Sequence, residues 1–135
     1  MTRGRTDLGL LVIRVGLGAM FVAHGLPKLA GGPAKWAKLG GAMKALGIDA
    51  FPTAWGLAAA CSETFGGLLL ALGVAFVPAC LALLATMAVA VTMHVRSGDG
   101  FGGWSHAAEA AVVFAGLALA GPGRHVLRLR RGTNA

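Results

Sequence analysis

Apolar residues dominate four long stretches of the chain, residues 8–26, 54–76, 78–95 and 104–120, and the polar residues cluster between them. Each stretch is close to the 20 or so residues that a helix rising about 1.5 Å per residue needs to cross a hydrocarbon core of about 30 Å. The pattern predicts an all-α membrane protein: a four-transmembrane-helix bundle forming one integral-membrane domain over residues 1–135. The last stretch is the shortest, and residues 122–129 or local bilayer thinning are expected to complete its span. Arg3 and Arg5 ahead of the first stretch resemble a signal peptide, but Arg14 interrupts the run and no small-residue cleavage site follows it.

The connections differ in kind. Only a few residues around Gly73 separate the second and third stretches, which predicts a tight antiparallel hairpin. Pro78 suits the first turn of the third helix, where a missing N–H costs nothing. Residues 27–52 carry Lys28, Lys35, Lys38 and Lys44 alongside Trp36, Leu39, Met43, Leu46 and Ile48 at near-helical spacing. This predicts an interfacial amphipathic segment between helices 1 and 2, broken at Gly40 and Gly41. The last connection, with Ser97, Gly98, Asp99 and Gly100, is flanked by Phe101 and Trp104, aromatics of the interfacial type.

Composition supports a membrane setting: 56% hydrophobic residues, 13% charged and a mean hydropathy of +0.73 leave too little polar surface to cover a water-soluble globule. The 22 glycines suit helices that associate in lipid through close backbone approach, and Gly67/Ala71, Ala111/Ala115 and Gly116/Ala120 have small-xxx-small spacing. The net charge of +7 lies in the tails and one connection, without a reading motif, which argues for headgroup contacts and against nucleic acid. Four spans put both termini on one side, and Arg3, Arg5, Arg124, Arg128, Arg130 and Arg131 favour the cytoplasm for that side, although the opposing connections hold five basic residues of their own.

Ionisable side chains inside the apolar stretches carry the candidate chemistry, since a charge there is costly by about 2.5–3.5 kcal/mol even on insertion scales. Counting along each helix from the cytoplasmic ends puts His24 and His94 at roughly 24–25 Å, Glu63 and Glu109 at roughly 16–18 Å and Arg14 at roughly 9 Å. The polar groups are therefore expected to converge in the outer half of the bundle. There Arg14 pairs with Glu63 across helices 1 and 2, and Lys28, one turn beyond His24, reaches the interface. A buried ion pair is poor evidence for stability, so the Arg14–Glu63 pair either fixes register or serves chemistry. His24 and His94 admit three readings: interfacial histidines bonded to carboxylates or water, donors to the carbonyl oxygens of a quinone, or axial ligands of a b-type haem. His106 is a further polar candidate, and His125 reads as a headgroup contact. Cys61 and Cys80 fall more than about 15 Å apart along the membrane normal and read as packing residues. No metal-ligand spacing, phosphate loop or nucleophile–base set is present.

The ordered segments LLVIRVGLGAMFVAHGLPKL, SETFGGLLLALG, AVAVTMHVRSGDGF and EAAVVFAGLALAGPG resemble the DoxX family of small bacterial four-helix membrane proteins, over nearly the whole chain from about Asp7 to about Gly123. The matching positions are Arg14, His24, Gly25, Lys28, Glu63, Gly66, Gly67, His94, Glu109, Gly121, Pro122 and Gly123. The resemblance implies a place in membrane oxidoreductase systems, among them a thiosulfate:quinone oxidoreductase, or in quinone, thiol and oxidative stress. It also touches, more distantly, eukaryotic membrane cargo receptors. The chain shows no soluble domain to hold a sulfur substrate, which argues against the thiosulfate activity itself.

The expectation is thus a quinone-binding or quinone-adjacent subunit of a bacterial oxidoreductase. His24, Lys28 and His94 bind the cofactor, Glu63 and Glu109 relay protons, and Arg14 sets the carboxylates. The competing expectation is a non-catalytic anchor or assembly partner for a redox or other membrane complex. Either way the partners are the bilayer, a membrane or peripheral protein, and a second copy in a homo-oligomer.

Overall fold

The computed structural model describes residues 2–128. Its helices are α1 (Arg3–Ala30), α2 (Gly32–Gly40), α3 (Pro52–Leu72), α4 (Phe76–Arg96) and α5 (Phe101–Ala120), with a 3₁₀ turn at Gly41–Leu46 after α2. Four of them, α1, α3, α4 and α5, are long and apolar enough to cross a membrane, so the chain is a multi-pass membrane protein. Arg130 and Arg131, used above for orientation, lie outside the described residues.

Glycine sets the spacing of α1 against α3. A Cβ on Gly18 would stand 2.4 Å from the Gly67 carbonyl oxygen, and one on Gly25 would stand 2.6 Å from the Thr64 backbone nitrogen. Only glycine lets the two backbones approach this closely, the means by which helices pack in lipid. The contacts run Arg14 to Ala71, Gly18 to Gly67, Gly25 to Thr64 and Lys28 to Glu63, so the helices are antiparallel. The buried stripe of α1 is Arg14, Gly18, Phe21 and Gly25, spaced four, three and four.

The helix boundaries differ from the sequence expectation most at the two ends of α1, which starts at Arg3 and not at Leu8, and at the end of α3. Helix α1 does not stop at Leu26 but runs through Pro27 to Ala30, because a proline removes one hydrogen bond without ending a helix whose far side is packed. Its last carbonyls are satisfied from α2, where Trp36 Nε1 donates to the oxygens of Lys28 (3.0 Å) and Leu29 (3.2 Å). Helix α3 ends at Leu72 rather than Phe76, since Gly73 takes the left-handed conformation (φ 71°) that closes a helix. The hairpin is otherwise as predicted, with Pro78 in the first turn of α4.

The segment between α1 and α3 breaks at Gly40 and Gly41, as its sequence suggests, and lies across the loop end of the bundle. There α2 presses on the start of α3, where a Cβ on Gly40 would stand 1.7 Å from the Pro52 oxygen and one on Gly56 1.7 Å from that of Trp36. The core proper joins Phe21, Leu70, Phe76, Cys80, Leu83, Met87, Phe114 and Leu117, with the Phe21 and Phe114 rings edge to face at 4.9 Å.

Candidate functional site

Helix α3 changes character where it passes the polar groups of α1. Residues Ser62–Gly66 form a π-helical turn, an insertion of one residue per turn that frequently marks functional sites. It carries Glu63 and Thr64, both buried, and Thr64 Oγ1 has no hydrogen-bond partner. Nothing in the hydrophobic pattern announces this turn. The signal available was Ser62 and Thr64 just before Gly66 and Gly67, all modest or poor helix formers.

Glu63 meets Lys28, not Arg14. Lys28 Nζ donates to both carboxylate oxygens, at 3.0 and 2.7 Å, with the Glu63 side chain 5% exposed and that of Lys28 31%. Lys28 therefore turns into the bundle instead of reaching outward. The depth count failed because it set the helices flush at the membrane edge. The register of α1 against α3 decides the pairing: with Arg14 beside Ala71 and Gly25 beside Thr64, Lys28 lies next to Glu63, and Arg14 stands about 21 Å away along α1.

Arg14 belongs to the other end of the molecule. It is 1% exposed, and its Nη1 donates at 2.9 Å to the carbonyl of Ala71, in the last turn of α3. A cation there satisfies an orphan carbonyl and complements the helix dipole. Its Nε has no partner. The chain beyond α5 folds back beside it: the Leu127 N–H donates to Leu72 O, and the Arg124 N–H donates to Asp7 Oδ1. His125 is exposed.

A cavity of about 1510 Å³ lies at the loop end between α1, α3, α4 and α5. Met20, Phe21, Met87 and a run of alanines on α3, α4 and α5 form its apolar walls. His24 and Lys28 from α1, Glu63 from the π turn, His94 from α4 and His106 from α5 are its polar lining, and Lys35, Lys38 and Lys44 come from the segment across the loop end. The structure thus brings together His24, Lys28, Glu63 and His94 on one cavity. It is larger than the usual small-molecule pocket of roughly 300–1,000 Å³, with few polar groups on apolar walls.

The two histidines sit differently. His94 Nδ1 is 2.6 Å from Asp99 Oδ2, which orients the ring from the loop after α4. His24 is exposed on the cavity wall without such a partner. Next to Glu63 in sequence, Ser62 Oγ lies 2.9 Å from Thr86 Oγ1, linking the π turn to α4. Asp99, Ser62 and Thr86 were missed from sequence, being ordinary loop and small polar residues whose neighbours only the fold supplies.

Glu109 is not part of this site. Its side chain is 71% exposed and does not line the cavity, and its nearest charged neighbour is His106 Nδ1 at 3.9 Å on the same helix. Depth alone cannot assign a side chain to the inside of a bundle, because the face it occupies depends on helix rotation. Cys61 and Cys80 are free thiols on α3 and α4. Among the described residues no three of His, Cys, Asp and Glu gather as a metal site would require.

No curated protein and no solved structure matches the chain. A match to the family model does exist, and it takes in α1, the segment across the loop end, α3 and nearly all of α4, hence every cavity residue just named except those of α5. With DoxX matched over residues 9–95, well over half of its length, the chain belongs to the DoxX family.

Proposed function

We propose that the cavity binds a quinone and that the protein is the quinone-binding or quinone-adjacent subunit of an oxidoreductase system in the bacterial cell membrane, both termini cytoplasmic. The observation that carries the reading is the Lys28–Glu63 pair on a π turn, its carboxylate buried and its cation half-buried, in the wall of a largely apolar cavity that also presents His24 and His94. A dry bundle gains little by retaining such a pair, because desolvation offsets its attraction. A site that must handle protons beside an apolar ligand has reason to keep it.

The residues fit a quinone by chemistry. Its ring carbonyls need donors, which His24 and His94 supply, and its isoprenoid tail needs apolar surface, which Met20, Phe21 and Met87 supply. A bound quinone would contribute two-electron, two-proton redox chemistry. Lys28 holds Glu63 in place, Glu63 keeps a proton-accepting group in the wall, and the contact of Asp99 with Nδ1 orients the ring of His94 and leaves its other nitrogen for the ligand. Arg14 and Glu109 take no part, the first because of distance and the second because of facing.

The test uses purified protein and a labelled quinone analogue. Saturable binding, displaced by menaquinone or ubiquinone and lost in His24→Ala and His94→Ala, is the expected result. Binding untouched by both substitutions would remove the pocket from consideration. An optical spectrum of the same sample with a Soret band would replace the quinone by a b-type haem.

A further inference from the structure

The lining of the cavity is unbalanced in charge. Lys28, Lys35, Lys38 and Lys44 line it, and Glu63 is the one carboxylate among its described lining residues. Lys28 already engages both oxygens of Glu63, so the other three cations are uncompensated. Among the described residues no carboxylate lies within ion-pair distance of Lys35, Lys38 or Lys44. Asp49, the acidic residue of the same connection, does not line the cavity, and Asp99 is taken up by His94.

These lysines stand on a fixed platform at the level of lipid headgroups. Lys35 and Lys38, three apart on α2, share a helix face, and Lys44 follows in the 3₁₀ turn. Trp36, bonded to the end of α1, and Gly40, pressed against Pro52, hold the segment in place, while Lys35 Nζ donates to the Pro27 oxygen at 3.4 Å. Leu39 and Met43 of the same segment also line the cavity, so this is not a solvated face turned away from the bundle. Trp55 and Trp104, in the first turns of α3 and α5, mark the interfacial level. From His94 the wall of α4 descends about 18 Å to Ala82, and apart from Thr86 its lining residues between the two are apolar. The cavity volume of about 1510 Å³ exceeds the roughly 300–1,000 Å³ of a site for one small ligand.

We propose that the cavity also seats an anionic glycerophospholipid, its phosphate among Lys35, Lys38 and Lys44 and one acyl chain along Ala58, Ala82 and Ala85. A cationic rim above an apolar wall complements a molecule with an anionic head and a hydrocarbon tail. A zwitterionic lipid brings its own cation, which the three lysines repel. The site shares the cavity of the quinone reading but not its histidines, so the two stand or fall separately.

Native mass spectrometry of the full-length chain, purified in neutral detergent and stripped of lipid, tests this. Phosphatidylglycerol is expected to be retained at one molecule per chain, in preference to phosphatidylcholine. Lys35→Gln with Lys38→Gln should weaken that retention about twenty-five-fold, at about fivefold for each basic residue beside an anionic headgroup. Arg3→Gln with Arg5→Gln, the same charge change at the opposite end of α1, should not alter it. All four residues are exposed, so both variants keep the fold, verified by unchanged melting curves. Ala58→Trp or Ala85→Trp, with a ring where the chain would lie, should abolish retention. His24→Ala with His94→Ala should preserve it while quinone-analogue binding is lost, which separates this proposal from the quinone reading. Equal retention of the two lipids, equal losses from the two charge variants, or retention intact in both tryptophan variants would each overturn the proposal. So would displacement of the lipid by inorganic phosphate where chloride at matched ionic strength has no effect, which would mark a site for a free anion.

Discussion

Removing either partner of the Lys28–Glu63 pair should cost stability, and the structure says the two losses are unequal. In Lys28→Met the Glu63 carboxylate, 5% exposed, is left buried without the cation it pairs with. Truncating one partner of a buried pair typically costs about 3–5 kcal/mol, and this case has the burial to reach that range. In Glu63→Gln the orphan is Lys28, 31% exposed on a flexible stem, which can turn toward the loop end and recover water. That loss should be nearer about 1–2 kcal/mol, between a surface and a buried pair. The double variant should fall short of the sum by about 1 kcal/mol or more, because the groups touch at 2.7 Å. Unfolding in mixed detergent, followed by the fluorescence of Trp36, Trp55 and Trp104, gives the three values. Equal losses from the two single variants, or strict additivity in the double, would show that the two side chains neither differ in burial cost nor couple.

Three further outcomes follow from the same geometry. Gly18→Leu should destabilise the bundle by about 2 kcal/mol or more, because its Cβ would meet the Gly67 backbone oxygen at 2.4 Å, whereas Gly16→Leu, with open space around it, should leave the melting curve nearly unchanged. Asp99→Asn should weaken quinone-analogue binding several-fold through the freed His94 ring, while changing stability by less than about 1 kcal/mol, since the pair is 33% and 44% exposed. Arg14→Met should leave analogue affinity unaltered, measured by equilibrium binding, because Arg14 sits about 21 Å along α1 from Lys28; a large loss of affinity would restore a link between Arg14 and the cavity.

The fold was legible because bilayer thickness and hydrophobic run length leave few alternatives: the four spans, the hairpin at Gly73 and the break at Gly40 all follow from residue type and spacing. Pairing was less legible. Counting heights treats the helices as flush at the membrane edge, whereas the contacts between α1 and α3, Arg14 beside Ala71 and Gly25 beside Thr64, give Glu63 the partner Lys28 in place of Arg14. Facing was not legible for Glu109, since α5 is apolar nearly all round and offers no stripe from which to read its rotation. The π turn was hidden for a different reason. It depends on how α3 accommodates α1 at Gly25 and Thr64, a tertiary contact that outweighs local propensity.

The proposed quinone site is the cavity bounded by His24, Lys28, Glu63 and His94. Photolabelling with an azido-quinone, followed by peptide mapping, addresses it most directly. The expected result is saturable labelling confined to residues 20–28 of α1 and 87–94 of α4, competed by unlabelled quinone. Labelling spread over the lipid-facing residues of α5, or labelling that excess quinone does not reduce, would contradict it.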